Sequence, residues 1–301
     1  MSFKLILTVI FVFIIILLMI FYFIPFNKIN FEAKPENYNF STIQSESQMQ
    51  FYPNMRFPEP RISYRILDCP LKKMNDMEFA FDIMENLTVL DFYPVASDEE
   101  ISIQCDERNH ASGGLFIAGE GGPSNITKAG DFYVILNGEI LLIKGSDCPK
   151  PNVALHELLH VLGFEHSSNK ENIMYNITNC DQVIGEDMIH LINELYSIPS
   201  YPDVAFEDVS AVMSGRFINI NMTVINMGLN NAGESRIIIY ADENILKEIY
   251  LEPLKIGYGT IISMENIWIS QIKVMELDLI IENDFNEINK ENNKIKLKIK
   301  E

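Results

Sequence analysis

Three of the chain's five histidines fall within one short run, His156-Glu157-Leu158-Leu159-His160-Val161-Leu162-Gly163-Phe164-Glu165-His166. Histidines four apart on a helix lie one above the other on a single face. Their ring nitrogens can then converge on one divalent ion, at about 2.0–2.1 Å each for zinc. Glu157 stands on the flank of that face, within reach of a water beside the ion without being a ligand. Gly163 is the residue type that ends a helix in the left-handed conformation. The chain then turns back, and His166 can arrive from another direction. Three protein ligands leave a fourth position open, which suits polarising a carbonyl and activating a water for hydrolysis. The bland alternative is an amphipathic helix with incidental histidines. So few histidines in the chain make this spacing, with Glu157 and Gly163 in register, a strong argument against it.

The segments around the run must form the helix and the turn. Pro151 and Asn152 are placed as a helix start. Ser167 follows the third His, and Met174 stands eight residues beyond it in Asn172-Ile173-Met174-Tyr175. The stretch from His156 to Ser167, with Ile173-Met174-Tyr175 at this distance, resembles the matrixins, a family of the metzincin clan of zinc metallopeptidases. That resemblance implies an α+β catalytic domain over about residues 58–200, a mixed twisted sheet plus about three helices. It implies one catalytic Zn²⁺ on His156, His160 and His166, Glu157 as general base, and Met174 in a turn beneath the metal. Tyr175 is left out of the metal shell, because relatives with a ligand Tyr place it two residues after the Met, where this chain has Asn176.

In matrixins an edge strand above the cleft takes up the peptide substrate as an extra strand. The resemblance places it at Gly114, Leu115, Phe116, Ile117 and Ala118; the alternative is a Gly-rich loop flanking a short strand. The family's structural zinc uses extra histidines, and only His110 is at hand, so a second zinc is not expected. Ca²⁺ could bind through Gly carbonyls with Asp131 or Glu120. No PRCGxPD segment is present, so latency by a zinc-bound cysteine is not expected. Leu159 and the loop from Tyr175 to Val183 are candidates to wall the pocket after the cut.

Several elements can be read from periodicity. Arg61 to Leu67 alternates as a strand, and Leu71 to Leu90 has a core stripe of Met74, Met77, Phe81, Met84 and Leu87 at helical spacing. Asp131 to Ile140 reads as a strand ending at a turn near Asn137-Gly138, and Glu186 to Tyr196 as a helix. Beyond Tyr201 about seven strands follow, which suggests a β-sandwich over residues 201–301. Lys294 to Lys300 alternates Lys with Ile295, Leu297 and Ile299, as suits a sheet edge. The Asn226…Gly228 turn and the ending Asp284…Glu287…Glu291-Asn292-Asn293 resemble the CARDB family, immunoglobulin-like modules of prokaryotic surface proteins.

Four cysteines are compatible with two disulfides in an oxidising space. Of three connectivities, the pairing expected is Cys148–Cys180, bracketing the zinc helix and Met turn, with Cys69–Cys105. Leu5 to Ile24 is apolar except for Thr8, and about 20 helical residues span a bilayer core. No small-residue cleavage site follows, so residues 1–27 are expected to be a signal anchor crossing the membrane, and residues 28–57, polar and aperiodic, a linker. The body would then lie extracellularly, or be secreted if the N-terminus is cleaved. A net charge of −19 argues against nucleic-acid partners. The function expected is that of a membrane-anchored zinc endopeptidase acting on proteins or peptides, with the C-terminal module engaging a cell-surface polymer or protein. The alternatives are an adhesion protein with a silent zinc site and a zinc hydrolase acting on another surface bond.

Overall fold

The computed structural model describes residues 3–23, 28–33, 49–106, 111–112, 115–116, 118–144, 148–271 and 274–299. The chain begins with α1 (Phe3–Phe23), β1 (Ile29–Ala33), β2 (Met55–Arg56), β3 (Arg61–Leu67) and α2 (Leu71–Leu87). It continues through β4 (Asp91–Pro94), β5 (Ile101–Cys105), β6 (Ala111–Ser112), β7 (Leu115–Phe116), β8 (Gly119–Ala129) and β9 (Phe132–Leu142) to α3 (Asn152–Val161) and α4 (Glu186–Leu195). The remaining strands are β10 (Val204–Ser214), β11 (Phe217–Asn226), β12 (Ser235–Ala241), β13 (Asn244–Leu251), β14 (Gly259–Trp268), β15 (Glu276–Glu282) and β16 (Lys294–Ile299).

The first sheet is mixed. Strands β2, β9, β5, β3 and β4 are parallel, and β8 runs antiparallel along β9. Helix α2 covers it with Met77, Ala80, Phe81 and Met84, all buried, and the Phe81 ring lies between those of Tyr64 and Phe92. Helix α3 is buried along its whole length, with even its polar residues inside. It packs against β8 and β9, and approaches β9 closely at Gly138, where a Cβ would come within 2.4 Å of Val161 Cγ1. The turn expected at Asn137-Gly138 is therefore absent. The glycine lets the helix lie on the strand, which runs on to Leu142.

The C-terminal strands also differ from expectation. In place of a two-sheet sandwich there is one antiparallel sheet of eight strands in the order β13-β12-β15-β16-β1-β10-β11-β14, curled around a shared core that includes Ile220, Ile237, Leu279 and Leu297. Alternation specifies strands and their faces, not where hydrogen bonding is interrupted. The stretch expected to be a linker supplies β1, which lies between β10 and β16 with Phe31 buried in that core. The Lys-faced β16 is consequently interior, not an edge. Its lysines stand on the solvent side, where Lys296 meets Glu276 and Asp278. A third, smaller cluster joins the two parts: Ala129, Phe132 and Val134 pack with Leu229 and Ile256.

The membrane-spanning reading of the N-terminus is overturned: among the described residues, no helix is long and apolar enough to cross a membrane. The described residues contain four helices beside sixteen strands.

Candidate metal centre

His156 and His160 sit one turn apart on α3, and His166 returns to them after the helix stops at Gly163, whose φ is +94°. The three Nε2 atoms lie 3.1, 3.2 and 3.3 Å from one another. Three corners of a tetrahedron with metal–nitrogen distances of 2.0–2.1 Å are about 3.3 Å apart. The tautomers agree with that geometry. His156 Nδ1 is 2.7 Å from the Ile173 carbonyl and His160 Nδ1 is 2.8 Å from that of Phe164. A carbonyl only accepts, so each Nδ1 carries the proton and each Nε2 presents a lone pair. Lone pairs facing one another this closely repel unless a cation lies between them, so the donor set fits a zinc ion. Burial, with charge from His166 opposing a second proton, holds the His156 pKa down. Burial and the His156 charge bring His160 down to about 4. Both rings are thus neutral near pH 7, as ligation requires. Among the described residues no other set of His, Cys, Asp or Glu atoms converges in this way, and neither Asp131 nor Glu120 joins one.

Glu157 is buried beneath β8. A Cβ on Gly119 would lie 2.8 Å from its Oε1, and the nearby Gly121 N–H favours its ionised form. Burial, followed by the Glu120 charge, pushes its pKa up to about 8 against the opposing pull of that N–H.

Met174 is buried directly after Ile173, the residue that orients His156. Its turn is fixed by Met174 N–H to Asn172 Oδ1 at 2.8 Å and by Ser167 N–H to the Met174 carbonyl at 2.8 Å. The second bond ties this turn to the loop that delivers His166. Disulfide Cys148–Cys180 joins the approach to α3 to the loop beyond Met174, and Asn152 Nδ2 donates to the Asn179 carbonyl beside it at 2.6 Å. Disulfide Cys69–Cys105 joins the start of α2 to the end of β5. Leu159 is fully buried in the core.

The strand that packs on α3 is β8, Gly119–Ala129. Gly114 and Ile117 lie outside the described residues. Leu115 and Phe116 pair with Ala111 and Ser112 in a separate ribbon. Ala118 accepts hydrogen bonds from the Ile143 and Lys144 amides, and the strand proper begins at Gly119. Ile173 and Phe164 act through backbone carbonyls, which no residue type betrays. Gly119 and Gly121 did carry a signal, the glycines of Gly119-Glu120-Gly121-Gly122, which mark a close backbone approach.

Two family models match the chain: Matrixin over residues 143–197 and CARDB over residues 203–296. Among solved structures, the chain is similar to the crystal structure of the CARDB domain of a Pyrococcus furiosus protein in complex with di-metal ions. The identity is 14%, covering 33% of this chain and 88% of that one, with a TM-score of 0.27. No curated protein matches.

Proposed function

We propose that the chain is a zinc-dependent endopeptidase with His156, His160 and His166 as metal ligands and Glu157 as general base. The observation that carries this reading is the approach of three Nε2 atoms to 3.1–3.3 Å, two of them oriented by carbonyls behind the rings. The Matrixin match over the same residues supports it. A bound zinc would lower the pKa of a water and polarise the scissile carbonyl. Glu157 takes the proton of the attacking water and delivers it to the leaving amine as the C–N bond breaks. The β8 glycines lie directly against Glu157, and the strand offers main-chain groups to an extended peptide.

The CARDB match supports an interaction role for residues 203–296, and the two disulfides support an oxidising compartment. The experiment is zinc analysis of the purified chain together with digestion of casein and generic peptides. One zinc per chain is expected, and Glu157→Ala should keep the metal while lowering kcat/KM by at least about 10²-fold. Zinc without cleavage above that variant would leave an interaction protein with a silent site. Cleavage of non-peptide substrates alone would favour a hydrolase of another bond.

A further inference from the structure

We infer that Met49–Phe51 is a positioning element of the three-histidine centre, a short strand added to the turn that delivers the third histidine. The inference rests on the metal-centre reading above. Phe51 N–H donates to the Gly163 carbonyl at 2.9 Å, and Glu165 N–H donates to the Met49 carbonyl at 2.9 Å, on either side of a bridge between Gln50 and Phe164. The turn held in this way contains the Phe164 carbonyl that fixes His160 Nδ1. The Phe51 ring also lies nearly parallel to the His160 ring, at 6.0 Å and 24°.

Two further contacts make the segment stiff. The Gln50 side chain closes residues 50–55 into a loop, its Nε2 donating to the Met55 carbonyl at 2.7 Å and its Oε1 accepting from the Met55 N–H at 3.1 Å. Met55 then fills the space beside Gly163, where a Cβ would meet its Sδ at 2.7 Å. The loop carrying His166 is thus gripped twice: at Glu165 by Met49 and at Ser167 by Met174. Only the second grip lies in the motif. His166 itself is exposed, so no core packing holds its ring in place. Phe51, more than a third exposed, touches no reacting atom and acts through His160 and Gly163.

The test uses the full chain as wild type, Phe51→Ala and Phe51→Tyr, each loaded with zinc. Zinc transfer to an excess of a chromophoric chelator is timed, and amide exchange is followed across residues 160–167. Phe51→Ala is expected to release zinc about 10–100-fold faster, the usual cost of losing a partner that orients a ligand. Phe51→Tyr, which keeps the ring, should stay close to wild type, and exchange should rise at Glu165 while the rest of the domain is unchanged. Release at the wild-type rate would overturn the inference, and so would exchange raised evenly through the domain. A wild-type chain that binds no zinc would instead sink the metal-centre reading.

Discussion

Gly121 lies against the backbone of Glu157 with no space for a side chain: a Cβ there would come within 2.4 Å of the Glu157 carbonyl oxygen. Its N–H meanwhile favours the ionised form of the Glu157 carboxylate. This glycine therefore sets the distance between β8 and the turn of α3 that carries the proposed base. Gly122, the next residue, would meet nothing within 4 Å. Gly121→Ala should cost about 1–3 kcal/mol in stability by overpacking. It should also lower kcat/KM by up to about 10²-fold, since displacement of a catalytic group by about 1 Å has that effect. Gly122→Ala should stay within about 0.5 kcal/mol of wild type. Chemical denaturation and peptide kinetics on the two variants decide the matter; equal behaviour would refute the role given to Gly121.

The Glu157 carboxyl gives a signed pH dependence. Its pKa is about 8 in the folded chain against 4.5 ordinarily, so the folded state holds the proton more tightly than the unfolded state. Its contribution to stability is full below about pH 4.5 and is lost as pH rises toward 8. The integrated effect is at most about 5 kcal/mol, from about 1.4 kcal/mol per unit. The metal-free chain should therefore lose thermal stability between pH 5 and 8 by more than Glu157→Gln does, about the slope that this one group supplies. Parallel melting curves for the two across that range would contradict the burial of an ionisable group here.

The site was legible where its chemistry is local. His156, Glu157 and His160 share one helix, and Gly163 ends it, so spacing alone places them. The supports of those residues were not legible, because they come from backbone. Ile173, Phe164 and Gly121 offer a carbonyl or an N–H that any residue type could supply at the same place. The fold divides the same way. Helices α2 and α4 follow from apolar spacing, whereas β1 pairs with Ser210–Met213 and Leu297–Ile299, partners far away in the chain. Its short Ile29-Asn30-Phe31-Glu32-Ala33 gives no sign of them. Sheet closure failed for the same reason, since period-two patterning fixes faces and leaves strand neighbours open.

Arg56 is the next test. It is almost wholly buried, and its guanidinium donates to the carbonyls of Phe57, Pro58, Leu195 and Ile198 and to Ser200 Oγ, while lying 4.1 Å over the Tyr196 ring. It caps the end of α4 and holds the segment leading into β10. Burial pulls its pKa below the usual arginine value, with Tyr196 and Glu59 opposing. Arg56→Met should cost about 3–5 kcal/mol, because several buried carbonyls lose their donor at once. Arg56→Lys should lose less, since an ammonium keeps the charge but not the planar fork. Denaturant midpoints order the three proteins, and a neutral Arg56→Met would show that this segment is held by other contacts.

The disulfide Cys148–Cys180 closes a loop of 32 residues that contains all three histidines, Glu157 and Met174. Cross-linking a loop of that length stabilises by about 3–4 kcal/mol through restriction of the unfolded chain. Cys69–Cys105 closes 36 residues, nearly the same length, yet contains none of these groups. Replacing either pair by serines should therefore cost similar stability, because chain entropy depends on loop length and not on contents. Zinc retention should separate them. Loss of Cys148–Cys180 frees the approach to α3 from the loop beyond Met174, and with it the turn whose Ile173 carbonyl orients His156. Chelator competition on the two double variants should give weaker zinc binding for Cys148→Ser/Cys180→Ser by about 10-fold or more, the scale expected when a ligand loses its orienting partner. Equal zinc affinity in both would mean that the helix and the Met174 turn hold their places without the bond.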